Sequence, residues 1–334
     1  MSTNRLLVLG GTEFVGRAVV DEAVAAGWEV TVFHRGTNRS SPSDAVTVLH
    51  GDRTMPGGLD ALRVGSWDLA VDTWSWAPVA VRDAAALLAD RVGSYVYVSS
   101  RSVYADPLPA GAAEDAPVVD GSAHDDGFAD YARAKRGGEL AAVQAFGDRA
   151  VLARAGLILG PHENIGRLPW WLARIAEGGE VLAPGAASDP IQYIDARDLA
   201  AFLLAAGSTG ASGAFNVVSE PRATTLGELL DACVAATGSG ATLRWVDQER
   251  VLAAGIQPWT QLPVWLPTGP DADAMHHGDV SRAVAAGLRR RPVTETVADT
   301  WVWLQALGGV APQRPDRPVV GLDRAIERAV LAGN

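Results

Sequence analysis

Tyr131 and Lys135 stand four residues apart in Tyr131-Ala132-Arg133-Ala134-Lys135, inside a stretch whose pattern predicts a helix over Ala129–Ala145. Residues i and i+4 share one helix face, so a phenol and an ammonium can converge on one site. A nearby cation favours phenolate and draws the phenol pKa toward working pH, which makes Tyr131 a usable general acid or base for an alcohol/carbonyl pair. The choice of lysine is informative: the chain has 28 lysines and arginines, and all but Lys135 are arginine. A guanidinium fork suits bidentate anions, whereas a compact ammonium suits contact with a phenol and a ribose. A third partner, a hydroxyl that orients the reacting oxygen, belongs at the carboxyl end of a neighbouring strand. Tyr95-Val96-Tyr97-Val98-Ser99-Ser100-Arg101-Ser102 offers Ser99, Ser100 and Ser102 there.

A second constellation lies at the start of the chain. Gly10-Gly11-Thr12-Glu13-Phe14-Val15-Gly16 follows a predicted strand, Arg5–Leu9, and opens a predicted helix, Phe14–Ala26. Glycines let the backbone turn tightly and approach a pyrophosphate, while the helix N-terminus offers free N–H groups and a favourable dipole. Gly16 permits close packing of the helix. A carboxylate beside a pyrophosphate repels it, so Glu13 either faces solvent or weakens the grip. The second predicted strand, Glu29–Phe33, is followed by His34-Arg35-Gly36. An arginine at that point, helped by Arg39 or Arg17, pairs with the 2′-phosphate of NADP, or else stacks on adenine without a phosphate preference.

These residues need a scaffold that brings strand ends together. Further strands are predicted at Val46–Leu49, Asp68–Asp72, Ser94–Ser99 and Arg149–Ala153, with another helix over Pro78–Asp90. Short apolar runs alternating with helices indicate βαβ units, hence an α/β doubly wound parallel sheet of the Rossmann kind. After Gly160-Pro161 tryptophans and prolines mark a less regular region, interrupted by Tyr193–Ala206 and Ala214–Val218 returning to the sheet. The expected division is a dinucleotide-binding domain, 1–160 plus about 191–221, and a smaller discontinuous C-terminal substrate domain, about 161–190 plus 222–310. Residues 311–334 form an extension: a proline-rich extended segment and an amphipathic helix over Leu322–Leu331.

The ordered set of glycine loop, Asp52, Ser100, Tyr131 and Lys135 resembles the extended (atypical) short-chain dehydrogenases/reductases, NAD-dependent epimerase/dehydratase-like family. Leu9 and Glu13 depart from that family's TGxxGxxG loop, and the Gly-Gly-Thr-x-Phe-Val-Gly form looks like a bacterial subgroup related to plant chloroplast RNA-binding proteins. The resemblance extends over about 1–305, through Arg154-Ala155-Gly156, Asp195–Ala200 and Asp279–Arg282. It selects Ser100 among the three serines, which with Tyr131 and Lys135 makes the catalytic set. It implies cofactor contacts from Gly10, Thr12, Phe14, Val15, Gly16, Arg35, Arg39, Asp52, Arg53, Thr73, Lys135, Ala155 and Gly156, with Asp52 placed at the adenine amine. Trp74, Trp76, Arg101, His162 and Trp170 are candidate substrate contacts, although tryptophans of a second domain are more often core. His124 also falls near the expected cleft.

Composition narrows the alternatives. With 334 residues, 48% of them hydrophobic and 20% charged, the chain is ordinary globular material, large enough for two packed units. A net charge of −11 argues against nucleic-acid binding. No apolar run is long enough for a membrane span, no signal peptide pattern is present, and Cys233 alone allows neither an internal disulfide nor a multi-thiolate metal site. The expected location is cytoplasmic, as monomer or homodimer. The leading expectation is an NADP(H)-dependent carbonyl reductase or alcohol dehydrogenase, NAD(H) being possible, for a small, largely uncharged, possibly aromatic metabolite. Ser188-Asp189-Pro190-Ile191-Gln192-Tyr193 lacks the diphosphate-clamping arginine common in nucleotide-sugar epimerases, with Arg167, Arg174 and Arg282 as possible substitutes. An NAD-dependent sugar or sugar-nucleotide epimerase is the second expectation, a non-catalytic RNA-binding relative the last.

Overall fold

The structure is a computed structural model that describes residues 3–36, 45–128 and 130–333. Strands β1 (Arg5–Leu9), β2 (Glu29–His34), β3 (Val46–His50), β4 (Trp67–Asp72), β5 (Val92–Ser100) and β6 (Ala150–Ala155) alternate with helices α1 (Phe14–Ala25), α2 (Pro78–Leu88) and α3 (Tyr131–Phe146). With the later strand Gly213–Val217 they form a seven-stranded sheet, in the order Gly213–Val217, β6, β5, β4, β1, β2, β3. Every pairing is parallel. This is the expected doubly wound Rossmann architecture, and its order reverses between β1 and β4, where such sheets open a crevice at the carboxyl ends of their strands.

The apolar runs are explained by burial on both faces. Along β1, Leu6 and Val8 join one cluster with Val19, Val20, Leu199 and Leu203, whereas Leu7 and Leu9 join the other with Val81, Ala84 and Tyr97. The first face is covered by α1 and α5 (Ala196–Ser208), the second by α2 and α3. Helix α3 begins at Tyr131, where the Asp130 carboxylate caps it, accepting from the Arg133 N–H at 2.8 Å. A side chain at Gly138 would run into the Tyr97 ring of β5, so glycine there allows α3 to lie close against the sheet.

A third cluster reaches from Leu157 to Val330 and gathers α4 (Arg167–Ala176), α6 (Leu226–Thr237) and the helix Val293–Ala306 around Trp171 and Trp265. Leu322 and Val330 belong to it, so the segment beyond 310 shares this core through the helix Arg324–Leu331. Cys233 is fully buried in α6, where burial pushes its thiol pKa up. No described helix is long and apolar enough to cross a membrane.

Candidate active site

A cleft of about 380 Å³ runs along the carboxyl ends of the central strands, lined by the glycine loop, the ends of β2, β4, β5 and β6, the start of α3, and the loop before α4. Gly10, Thr12, Phe14, Val15 and Gly16 all border it. Gly16 packs α1 onto the loop itself: a Cβ there would stand 2.6 Å from the Gly11 nitrogen. Glu13 takes a course the sequence did not suggest. Its Oε2 accepts from Asn164 Nδ2 at 2.9 Å, joining the loop to the segment before α4.

At the β2 end, Arg35 borders the cleft and is exposed, with no ion pair among the described residues. Arg39 lies outside the described residues. Arg17 faces Asp21 at 3.5 Å and does not line the cleft. Asp52 lines it, and hydrogen bonds from the hydroxyl and amide of Thr54 hold its carboxyl below the usual carboxylate range. Arg53 lines it as well, but its guanidinium is committed to buried Asp72 at 2.9 Å and lies over the Trp74 ring. Asp72 also accepts from the Tyr95 hydroxyl and from the Trp74 N–H at 2.9 Å, so one buried carboxylate fixes the turn that presents Thr73 and Trp74.

Tyr131, Ser100 and Lys135 meet on the opposite wall. Ser99 is removed from contention because its hydroxyl donates to Glu139 Oε1 at 2.8 Å, in a buried network with Arg154. Ser102 does not line the cleft; its hydroxyl and amide both contact Ser100 Oγ at 3.1 Å. Ser100 lines the cleft beside Tyr131, and its hydroxyl acts to lower the phenol pKa. Lys135, 2% exposed, donates to the Trp74 and Val98 carbonyls, each at 2.7 Å, and its ammonium lies 4.9 Å from the Tyr97 ring centre. These two carbonyls leave one ammonium N–H free.

The electrostatics correct one expectation. Burial raises the Tyr131 pKa above its ordinary value instead of lowering it; the opposing influences are the Ser100 hydrogen bond and the charges of Arg317 and Arg167. Burial pushes Lys135 down to about 7, against the pull of Asp72 and Glu139. For both groups desolvation is the largest influence and sets the direction of the shift.

Three expected substrate contacts stand elsewhere. Arg101 turns away from Ser100 and donates to the Met275 and Ala274 carbonyls, each at 2.8 Å, bracing the C-terminal region. His162 packs its ring 5.3 Å from that of Trp303 and does not line the cleft. Trp170 lies against Trp171, ring centres 4.7 Å apart, in the C-terminal core. His124 stands at 2.8 Å from Arg82, also outside the cleft. Trp74 and Trp76 do line it, as do Thr73, Ala155 and Gly156. Of the arginines considered as anion clamps, Arg174 is buried against Glu327 and Arg282 binds the Ser212 carbonyl; only Arg167 borders the cleft, paired with Glu163 at 2.9 Å. Sequence reasoning missed Asn164, Arg314 and Arg317, all of which line the cleft from segments distant in the chain.

A parallel sheet whose glycine loop, reversal point and Ser-Tyr-Lys wall face one crevice defines the class of doubly wound α/β folds. Residues 77–217 match the NAD dependent epimerase/dehydratase family, so the family suspected from the motifs fits. No curated protein matches the chain. Among solved structures, an epimerase of Methanothermobacter thermautotrophicus is 17% identical, with 91% of this chain and 93% of that one covered at a TM-score of 0.68. A UDP-N-acetylglucosamine 4-epimerase of Methanobrevibacter ruminantium M1, solved with UDP-N-acetylmuramic acid, is 15% identical over 92% of this chain and 100% of that one, TM-score 0.67. A Bordetella bronchiseptica enzyme solved with NAD+ is 17% identical over 92% and 100%, TM-score 0.65. At these identities the likeness is one of fold.

Proposed function

We propose that the chain is a nicotinamide-dependent enzyme of the epimerase type, acting on an alcohol carbon of a sugar or sugar nucleotide. The observation that carries this reading is the meeting of Ser100, Tyr131 and Lys135 on one wall of a cleft that begins at the glycine loop. The residues fit a dinucleotide. The α1 N-terminus and its glycines suit a pyrophosphate, Asp52 an adenine amine, and the free N–H of Lys135 a ribose hydroxyl. When bound, the nicotinamide supplies a reversible hydride acceptor.

Tyr131 takes the proton from the substrate hydroxyl as that carbon is oxidised, and returns it when the carbon is reduced from the other face. Ser100 hydrogen-bonds the same oxygen and steadies its developing charge. In the free protein burial raises the phenol pKa, with Ser100, Arg317 and Arg167 acting against it. Among the described residues the acidic ones lining the cleft are Glu13 and Asp52, both on the dinucleotide side, so none of these carboxylates stands beside Tyr131 to drive elimination. That disfavours dehydratase chemistry. The similarity to epimerases of known structure, and the family match over 77–217, support the choice of epimerisation over net reduction.

A second reading, an NADP(H)-dependent carbonyl reductase, is favoured by Arg35 after β2, which has no ion pair among the described residues, and by Trp74 and Trp76 lining the cleft. Purified protein assayed for bound dinucleotide, and incubated with UDP-glucose and UDP-N-acetylglucosamine, separates the two. Retained NAD with sugar interconversion and no net reduced cofactor supports epimerisation; stoichiometric NADPH consumption on added carbonyl compounds supports the reductase. In either case Tyr131→Phe lowers kcat by about 10²–10⁴-fold, the range of a lost general acid–base group, with dinucleotide Kd unchanged. Full turnover in that variant refutes both.

A further inference from the structure

The chain carries a net charge of −11, yet among the described residues its cleft is lined by Arg35, Arg53, Lys135, Arg167, Arg314 and Arg317 against Glu13 and Asp52. Half of these cations are already matched: Arg53 by Asp72, Arg167 by Glu163, Arg314 by Asp316. On the Tyr131 side the ammonium of Lys135 is held by two backbone carbonyls, which leaves Arg317 as the guanidinium without a carboxylate. It is in no ion pair among the described residues, and its Nε is buried without a hydrogen-bond partner. Its guanidinium carbon lies 5.6 Å from the Tyr131 ring centre.

Arg317 reaches this place because the segment beyond residue 310 is tied down on both sides. Gln313 closes a loop on Val320, donating to its carbonyl at 2.8 Å and accepting from its N–H at 2.9 Å. The Gly321 N–H donates to the Thr260 carbonyl at 2.9 Å, and Gly321 lies so close under the Trp170 indole that a Cβ has no room. Beyond it, Glu327 receives Arg174 at 2.8 Å and the Leu182 N–H at 3.0 Å. A preorganised guanidinium with unspent donors is suited to bidentate recognition of an oxyanion.

We propose that Arg317 recognises an oxyanion on the substrate, a phosphate or carboxylate group, and seats it beside Tyr131. The inference rests on the hydride-transfer reading of the same cleft. It makes the substrate anionic, against the uncharged metabolite expected from the sequence, and assigns the recognition to a strap outside the segment that matches the family. The bound anion and Arg317 then share the space next to the phenol, so the substrate's charge screens the cation there when the site is filled.

The test uses the full chain loaded with dinucleotide, wild type, Arg317→Ala and Arg317→Lys, with UDP-glucose, glucuronate and neutral methyl glucoside as calorimetric probes. The expected result is that one anionic probe binds the wild type at least tenfold more tightly than methyl glucoside. Arg317→Ala then weakens that probe at least tenfold, Arg317→Lys recovers part of the loss, and dinucleotide Kd stays within twofold. UDP-glucose as the preferred probe identifies the anion as phosphate, glucuronate as carboxylate. Equal affinity of wild type and Arg317→Ala, equal affinity for charged and neutral probes, or no anionic probe bound at all overturns the proposal. So does a matching loss of dinucleotide affinity, which would place the arginine on the cofactor's pyrophosphate. A wild type that binds no dinucleotide refutes instead the hydride-transfer reading beneath it.

Discussion

Lys135 shows how much a single position can depend on its surroundings. Its ordinary pKa of 10.5 falls to about 7 because α3 and β5 enclose it. Between those two values the unfolded chain binds the proton and the folded one has released it, so unfolding free energy rises with pH across that window. The cost of burying the ammonium is fully present below about 7 and vanishes above the unfolded value. The difference in unfolding free energy between wild type and Lys135→Met should therefore rise from about pH 7 to 10.5, and a flat difference in urea titrations counts against the buried ammonium. The same titration governs ligand binding. A dinucleotide that accepts from the ammonium binds the protonated form better, so its affinity should decline as pH rises above about 7, and lose that slope in Lys135→Met.

The elements decide whether three side chains from distant stretches meet. Asp130 starts α3 at the residue that carries the phenol, and the Gly138 contact with Tyr97 holds that helix on β5. Gly138→Val forces a branched side chain into the Tyr97 ring and should cost about 1–3 kcal/mol, the usual range for overpacking. Because the shift parts Tyr131 from Ser100, kcat should fall further than dinucleotide affinity. Chemical denaturation together with turnover checks both, and an unchanged ratio of the two effects argues that α3 does not set the geometry. At this scale the buried Glu139–Arg154 network had no sequence signal: a glutamate on a predicted helix reads as solvated, and only the fold places it 0% exposed under β5 and β6.

Across the whole molecule, the C-terminal helix anchors the segment that carries Arg317 to the third cluster. Glu327→Ala leaves Arg174 buried, 3% exposed, without its carboxylate, and should destabilise by about 3–5 kcal/mol. Glu327→Gln keeps an acceptor for the Leu182 N–H and should lose less. A melting experiment in which both variants match wild type would mean that the segment beyond 310 contributes nothing to the fold.

The order of strands and helices, the glycine loop and the spacing of Tyr131 and Lys135 were legible in the sequence, because periodicity and i,i+4 geometry are local properties of the chain. The choice of Ser100 over Ser99 and Ser102 came from the family resemblance alone, and its physical ground, which hydroxyl Glu139 claims from another element, is tertiary. Arg101, His162 and Trp170 were placed near the site by their neighbours in sequence, whereas side-chain direction carried them into the C-terminal packing. Local chemistry fixed which groups the protein has and how they repeat along each element. Desolvation, ion pairing and the return of Arg317 to Tyr131 depend on contacts between residues far apart in the chain, and those exist only once the tertiary structure has closed.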